Sequence, residues 1–405
     1  MRLAIAILLF TSNMLTAQVK TGIEVLSEKG FEPLLGKRVG LITNPTGVDS
    51  RLKSTADILF EAPEVELVAL FGPEHGIRGD FAAGEKVGTM FDEVTGLPLF
   101  SLYGSTRKPT PEMLERIDVL VYDIQDIGSR SYTYISTMGL AMEAAAENGI
   151  EFMVLDRPNP LGGNKFEGPL VEDDYISFVS QFPITYVHGF TAGELAVFIN
   201  EEGLIEGGPV KLKVIRMEGW ERDMLFDDTG LPWVPTSPHI PHAHSAWYYP
   251  VSGILGELYV FNIGVGYTLP FQLIGSDFAD AGELASGLNS LELPGVIFRP
   301  VHFRPYYSVL SGSMVNGVQI HLTDVKKANL SMIQFWVMQE MKKLHPSKNP
   351  FEMCDPARHD MFDRVVGTDK VRKKFTRRFM VEDIIELWTG QEAAFAEKAA
   401  RYFLY

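Results

Sequence analysis

The chain has 405 residues, 46% of them hydrophobic and 22% charged, which is enough apolar material for two packed domains or one large one with additions. A formal net charge of −16, from 52 acidic against 36 basic residues, excludes a surface built mainly for nucleic acid or anionic membrane. The single cysteine, Cys354, excludes an intramolecular disulfide, and its Cys-Asp-Pro setting holds nothing that would activate a thiol.

In chain order, Met1-Arg2 opens an apolar run, 3–10, followed by polar residues and Leu15-Thr16-Ala17-Gln18. That run is too short to remain in a bilayer. It predicts a cleaved signal peptide over 1–17, hence an exported protein, periplasmic or secreted, without stable membrane insertion. The alternative is a buried first strand or helix. Beyond it, strand-like runs alternate with helical ones. RVGLIT (38–43) reads as a strand, 50–60 as a helix, VELVALF (65–71) as a strand and 97–102 as another. Thr110 caps a helix with Pro111 in its first turn. VLVY (119–122) is a strand, 131–148 a helix closed by Gly149, and FMVL (152–155) a strand. Thr191-Ala-Gly-Glu194 is a capping box opening a helix over 195–202. Short continuous apolar strands between helices imply an α/β fold with a mostly parallel sheet covered on both faces. The Pro-, His- and aromatic-rich stretch 232–250 reads as irregular. After it come a strand at 315–322 and helices over 330–344 and 381–400, which predict a main domain over 18–254 and a smaller α/β domain over 255–405. The basic cluster 370–378 reads as a solvated helix face.

Four of these strands end in polar loops fixed by Gly or Pro: Asn44-Pro-Thr-Gly47, Gly72-Pro-Glu-His-Gly76 with Arg78, Asp123-Ile-Gln-Asp-Ile-Gly128 with Arg130 and Tyr132, and Asp156-Arg-Pro-Asn-Pro160. In an open parallel sheet, ligands bind beyond the carboxyl ends of the strands, so these loops predict one pocket. Glu74 is the candidate general acid, because a carboxyl partly withdrawn from water keeps its proton to higher pH; the alternative is a loop-bracing glutamate. His75 is placed to tune it or bind substrate. Asp123 and Gln125 supply a second carboxylate and an amide, unless Asp123 is a helix cap or an ion-pair partner. Arg78, Arg130 and Arg157 suit a carboxylate ligand, or else form ion pairs with nearby aspartates. Tyr132 suits a sugar face. His239, His242 and His244 raise the question of zinc, but no carboxylate or cysteine stands at matching spacing, so no metal is expected and His239 is assigned to the substrate rim. No dinucleotide fingerprint, phosphate loop or nucleophile elbow is present, which argues against nucleotide cofactors and serine hydrolysis.

The motifs Gly40–Gly47, Phe71–Asp80, Tyr122–Gly128, Leu155–Pro160, Glu167-Gly-Pro169, Ser237–Pro241, Gly317–His321, Gly367-Thr-Asp369 and the terminal Tyr402-Phe-Leu-Tyr405 resemble the exo-β-N-acetylmuramidase family over nearly the whole chain. The resemblance implies a Rossmann-like N-terminal domain, a smaller C-terminal domain and a cleft between them. It implies release of terminal N-acetylmuramic acid from peptidoglycan fragments, muropeptides or amino-sugar disaccharides, without a cofactor. Glu74 matches the family's Pro-Glu-His-Gly glutamate; Asn44, His75, Gln125, Arg157 and Asn159 match other motif positions. One segment departs. Where the family carries a glutamate and an arginine, this chain has Ile263 and Val265. That departure keeps open a second reading, a non-catalytic binding protein for cell-wall amino-sugars.

Overall fold

The computed structural model describes residues 18–74, 76–79, 90–104 and 106–405; the expected signal peptide and His75 lie outside the described residues. Seven strands form the main sheet: β1 (Arg38–Thr43), β2 (Glu66–Gly72), β3 (Met90–Phe91), β4 (Pro98–Ser101), β5 (Val119–Asp123), β6 (Glu151–Leu155) and β7 (Leu212–Ile215). Their order is β3-β4-β2-β1-β5-β6-β7, and every pairing is parallel except β3 with β4. The central strands β1, β5 and β6 are apolar between their ends for the reason the sequence suggested. Side chains alternate between two cores. Val39, Leu41, Val119 and Val121 face one; Ile42, Leu120, Tyr122 and Val154 face the other. Helices Gly22–Glu28 and Thr55–Glu61 cover the first face. Helices Tyr134–Glu147 and Ala192–Glu201 cover the second, the latter opened by the predicted Thr191/Glu194 capping box.

A second sheet, β8 (Leu273–Ser276), β9 (Val296–Phe303) and β10 (Val315–Leu322), is antiparallel with order β8-β10-β9. The stretch expected to be irregular is helical from Ala243 to Gly256. Pro250 lies inside this helix, and burial of Ala246, Val251, Ile254 and Leu255 outweighs its poor propensity. Position 254, the expected domain boundary, falls within the same helix. The helix expected over 50–60 begins only after Ser54, whose hydroxyl caps it by accepting from the Asp57 amide. The span 381–400 is broken into short pieces around Gly390. Among the described residues no helix is long and apolar enough to cross a membrane.

Buried polar ties join the two parts. Arg130, assigned to substrate by its motif, instead spends all its donors on the protein. Its Nη1 donates to Pro169 O and Ile184 O, its Nη2 to Val365 O and Val366 O, and its Nε to Ser180 Oγ. Val365 and Val366 end the helix Ala357–Val366, where a cation meets the negative end of the helix dipole. The guanidinium is fully buried, so Arg130 is a bolt between domains. Glu167 accepts from the amides of Leu330 and Ser331, and Glu392 accepts from Gly168 N at 2.9 Å.

Burial pushes the Glu392 carboxyl up to about 7, against the pull of the Gly168 amide. A raised carboxyl contributes stability that is complete below its unfolded value and is lost as pH rises through about 7. The melting temperature of the wild type is therefore expected to fall, relative to that of Glu392→Gln, as pH goes from roughly 5 to 8. Parallel curves in a thermal melt series would show that Glu392 titrates as it does in the unfolded chain.

Candidate active site

The switch point of the main sheet lies between β1 and β5. From β1 the chain winds outward to β2 and β4, then returns to β5 on the other side. Loops after strands on either side of such a point diverge and leave a crevice. The register brings the strand ends level: Thr43 pairs with Asp123, Ile42 with Phe71 and Tyr122 with Val154. The four polar loops therefore leave one edge, as their positions after the strands predicted. Gly47 permits the closest approach, because a Cβ there would stand 2.1 Å from Thr43 Oγ1 and 2.9 Å from Asp123 O.

Glu74 follows β2 directly and is partly exposed. The Tyr103 hydroxyl, on the loop after β4, donates to it. Burial first, and then this carboxylate, push the Tyr103 phenol up. The Glu74 charge also bears on Tyr134 and Tyr249. These two belong to an aromatic group in which Tyr132 meets both edge-on, at 5.1 Å and 5.5 Å between ring centres. The segment 232–242 braces the group, since Tyr132 Oη donates to Thr236 Oγ1 at 2.8 Å and Tyr134 Oη to Thr236 O at 2.6 Å.

Asn44 stands beside Tyr134. Its Oδ1 accepts from the amide and hydroxyl of Thr46, and its buried Nδ2 faces the Tyr134 hydroxyl without completing a well-formed hydrogen bond. Asp126 has the same character. Its Oδ2 accepts from Gly128 N at 2.7 Å, and its buried Oδ1 is unpartnered. A buried polar atom without a partner is costly unless a ligand or water completes it. Asn44 Nδ2 and Asp126 Oδ1 thus leave one donor and one acceptor incomplete in the loops after β1 and β5, with buried His188 Nε2 standing 3.3 Å from Asp126 Oδ2.

Asp123 and Arg157 face each other rather than the solvent. Arg157 donates Nε to Asp123 Oδ1 at 2.5 Å and Nη2 to Asp123 Oδ2 at 2.9 Å, with Val48 O also taking Nη2. Thr55 Oγ1 donates to Asp123 Oδ2 at 2.5 Å. Asp123 is fully buried with both oxygens engaged, so it aims Arg157 and has no free edge for substrate. Arg157 Nη1 makes no hydrogen bond to the described residues. Arg157 lines a cavity of about 20 Å³ with Thr46, Gln125 and Trp233, room for about one water. Gln125 Nε2 is held by Asp126 O and Pro158 O.

Two other assigned residues are spent on the protein in this geometry. Arg78 pairs with Asp92 at 2.7 Å and Asp57 at 2.9 Å, and its guanidinium holds Asp92 down at about 2. Asn159 donates to Phe190 O and accepts from Leu161 N, using both ends on the backbone. The histidines diverge: His239 Nε2 meets Tyr307 Oη at 2.9 Å, while His244 meets Asp227 at 2.6 Å. Ile263 and Val265 close an apolar cluster with Ile127, Tyr132 and Tyr249. Sequence reasoning passed over Tyr103 and Tyr249 and left Asp126 out of the candidate site. Tyr103 follows β4 as Glu74 follows β2, which was a usable signal; Tyr249 sits in the helix that periodicity missed.

Comparison with known proteins adds an independent line. The chain matches the model "Exo-beta-N-acetylmuramidase NamZ, N-terminal" over residues 39–244 and its C-terminal counterpart over 247–405. It is 47% identical to peptidoglycan beta-N-acetylmuramidase NamZ of Bacillus subtilis (strain 168), across 96% of this chain and 92% of that protein. Two solved DUF1343 family proteins from Bacteroides fragilis NCTC 9343 share the fold. One is 58% identical with a TM-score of 0.93, the other 28% identical with a TM-score of 0.77, and each comparison covers 96% of this chain and 99% of the other.

Proposed function

Because the chain belongs to the exo-beta-N-acetylmuramidase NamZ family, we propose that it is a peptidoglycan glycoside hydrolase that removes N-acetylmuramic acid from the non-reducing end of cell-wall fragments. The observation that carries the site assignment is Glu74, a partly exposed carboxylate just after β2 beside the switch point, hydrogen-bonded by the Tyr103 hydroxyl and near enough for its charge to bear on Tyr134 and Tyr249.

In this reading Glu74 protonates the leaving glycosidic oxygen as the bond to the anomeric carbon breaks. Either a water attacks that carbon directly, or the substrate's own N-acetyl oxygen does so and a water then opens the resulting oxazoline, and a proton from the water returns to the Glu74 carboxylate. Asp126 Oδ1 is the acceptor placed to orient the acetamido N–H, a role first assigned to Asp123. Asn44 Nδ2 donates to a ring hydroxyl or the acetyl oxygen. Arg157, held rigid by Asp123, offers Nη1 to the lactyl carboxylate. No step calls for a metal or organic cofactor. His75, which follows Glu74 in the sequence, is assigned to tune that carboxyl or to bind substrate. Export with removal of residues 1–17 is part of the same proposal, and it suits a substrate found outside the cytoplasm.

Residues 18–405, incubated with fragments ending in muramic acid, are expected to release free N-acetylmuramic acid, read by mass analysis of the digest. The apolar Ile263/Val265 pair favours the second reading, a receptor that binds the same sugars without cleaving them. Tight binding by calorimetry with intact fragments after long incubation would select that reading.

A further inference from the structure

The loop between β9 and β10 displays two tyrosines, Tyr306 at 81% and Tyr307 at 54% of full exposure. An exposed aromatic pair on an ordered loop is an unusual expenditure of apolar surface and marks a binding face more often than chance. The loop is fixed. Tyr306 N donates to Gly266 O at 2.8 Å, Ser311 Oγ to Tyr306 O at 2.9 Å, and Gly312 N to Pro305 O at 2.9 Å. Ser308 and Leu310 hold left-handed backbone, with φ of 71° and 60°.

Its position is set by two contacts. Tyr307 Oη meets His239 Nε2 at 2.9 Å, and His239 lies three residues beyond Thr236, which braces Tyr132 and Tyr134. On the other side, Gly266 carries Tyr306 and adjoins Val265, which packs in the cluster with Tyr132 and Tyr249. Tyr249 in turn feels the charge of Glu74. The tyrosine pair therefore lies on the exposed side of the aromatic group formed by Tyr132, Tyr134 and Tyr249, the group that feels the Glu74 charge.

We propose that Tyr306 and Tyr307 form the platform for the sugar on the leaving-group side of the scissile bond. The inference rests on the glycosidase reading above. An exo-acting enzyme encloses the terminal sugar and leaves the rest of the glycan in the open. A pyranose presents an apolar C–H face, which an exposed phenol ring covers while its hydroxyl stays in water. Tyr307, tied to His239, fixes the plane; Tyr306, the more exposed, supplies most of the area. The occupant is the second sugar of the fragment, whose ring must emerge where the crevice opens.

The test compares two substrates that differ only in what leaves. Tyr306→Ala is expected to lower kcat/KM by roughly fivefold to tenfold on a fragment with a sugar leaving group, chiefly through KM, the size of one aromatic contact. It is expected to lower it by less than about twofold on N-acetylmuramyl fluoride, whose leaving group offers nothing to stack. Tyr306→Phe should restore the fragment rate. Equal losses on both substrates, or none on either, would overturn the platform while leaving the glycosidase intact. If the wild type cleaves neither, calorimetry with the same fragment decides. Binding weakened severalfold by Tyr306→Ala keeps the platform and discards catalysis; binding unaffected by it, or no binding at all, removes the platform.

Discussion

Glu74→Gln is expected to lose about 10²- to 10⁴-fold in turnover of a chromogenic muramic-acid glycoside, the range associated with a positioned proton donor. The substitution keeps the shape of the side chain and keeps an oxygen for the Tyr103 hydroxyl, but it has no proton to give. The side chain is partly exposed, and its one described hydrogen-bond partner is Tyr103. The melting temperature should accordingly stay within a few degrees of wild type, as for surface changes away from the core. That pairing of a large kinetic loss with a small thermal shift separates a catalytic role from a loop brace. Fragment affinity should persist, since Asn44 and Arg157 are untouched. Wild-type turnover in the variant would remove Glu74 from the mechanism and move attention to Asp126 or to residues outside the described set.

How much of this could be read from the chain depends on which forces were local. Strands β1, β5 and β6 are buried on both faces, and burial on both faces leaves a continuous apolar run that needs no partner to be recognised. The loops following them were legible for the same reason, because polar residues directly after such a run have one sheet edge to occupy. What failed was long-range. Arg130 sits in a motif of polar neighbours, yet its carbonyl partners at Val365 and Val366 lie more than 230 residues away in the sequence. Asp123 was assigned to the site with a helix cap or ion pair as the alternative, and the alternative holds through partners distant in sequence, Arg157 and Thr55, which arrive from another strand's loop and from a helix. The helix Ala243–Gly256 was missed because Pro250 and the histidines at 239, 242 and 244 argue locally against it, and only its burial in the core under the second sheet argues for it. The apolar pair at Ile263 and Val265 was visible as a departure from the family pattern, but its packing on Tyr132 and Tyr249 was not.

The Asp123–Arg157 pair carries the second large effect. Replacing Asp123 by leucine leaves a guanidinium that is 6% exposed without its counter-ion, and breaking a buried pair in this way costs about 3–5 kcal/mol. Arg157→Met leaves Asp123 with only the Thr55 hydroxyl and should cost a similar amount. The double variant Asp123→Leu/Arg157→Met removes both charges and fills the space with apolar atoms, an exchange that is often close to neutral. Denaturant unfolding should show both single losses and a recovery of most of the stability in the double variant, a strongly non-additive cycle. Activity should not follow stability. If Arg157 Nη1 grips the lactyl carboxylate, the refolded double variant still lacks its only contact with that group, and KM should remain raised at least tenfold while kcat falls less. Full recovery of KM together with stability would mean that the pair is a strut under the β1 and β5 loops. The carboxylate would then be bound by another residue.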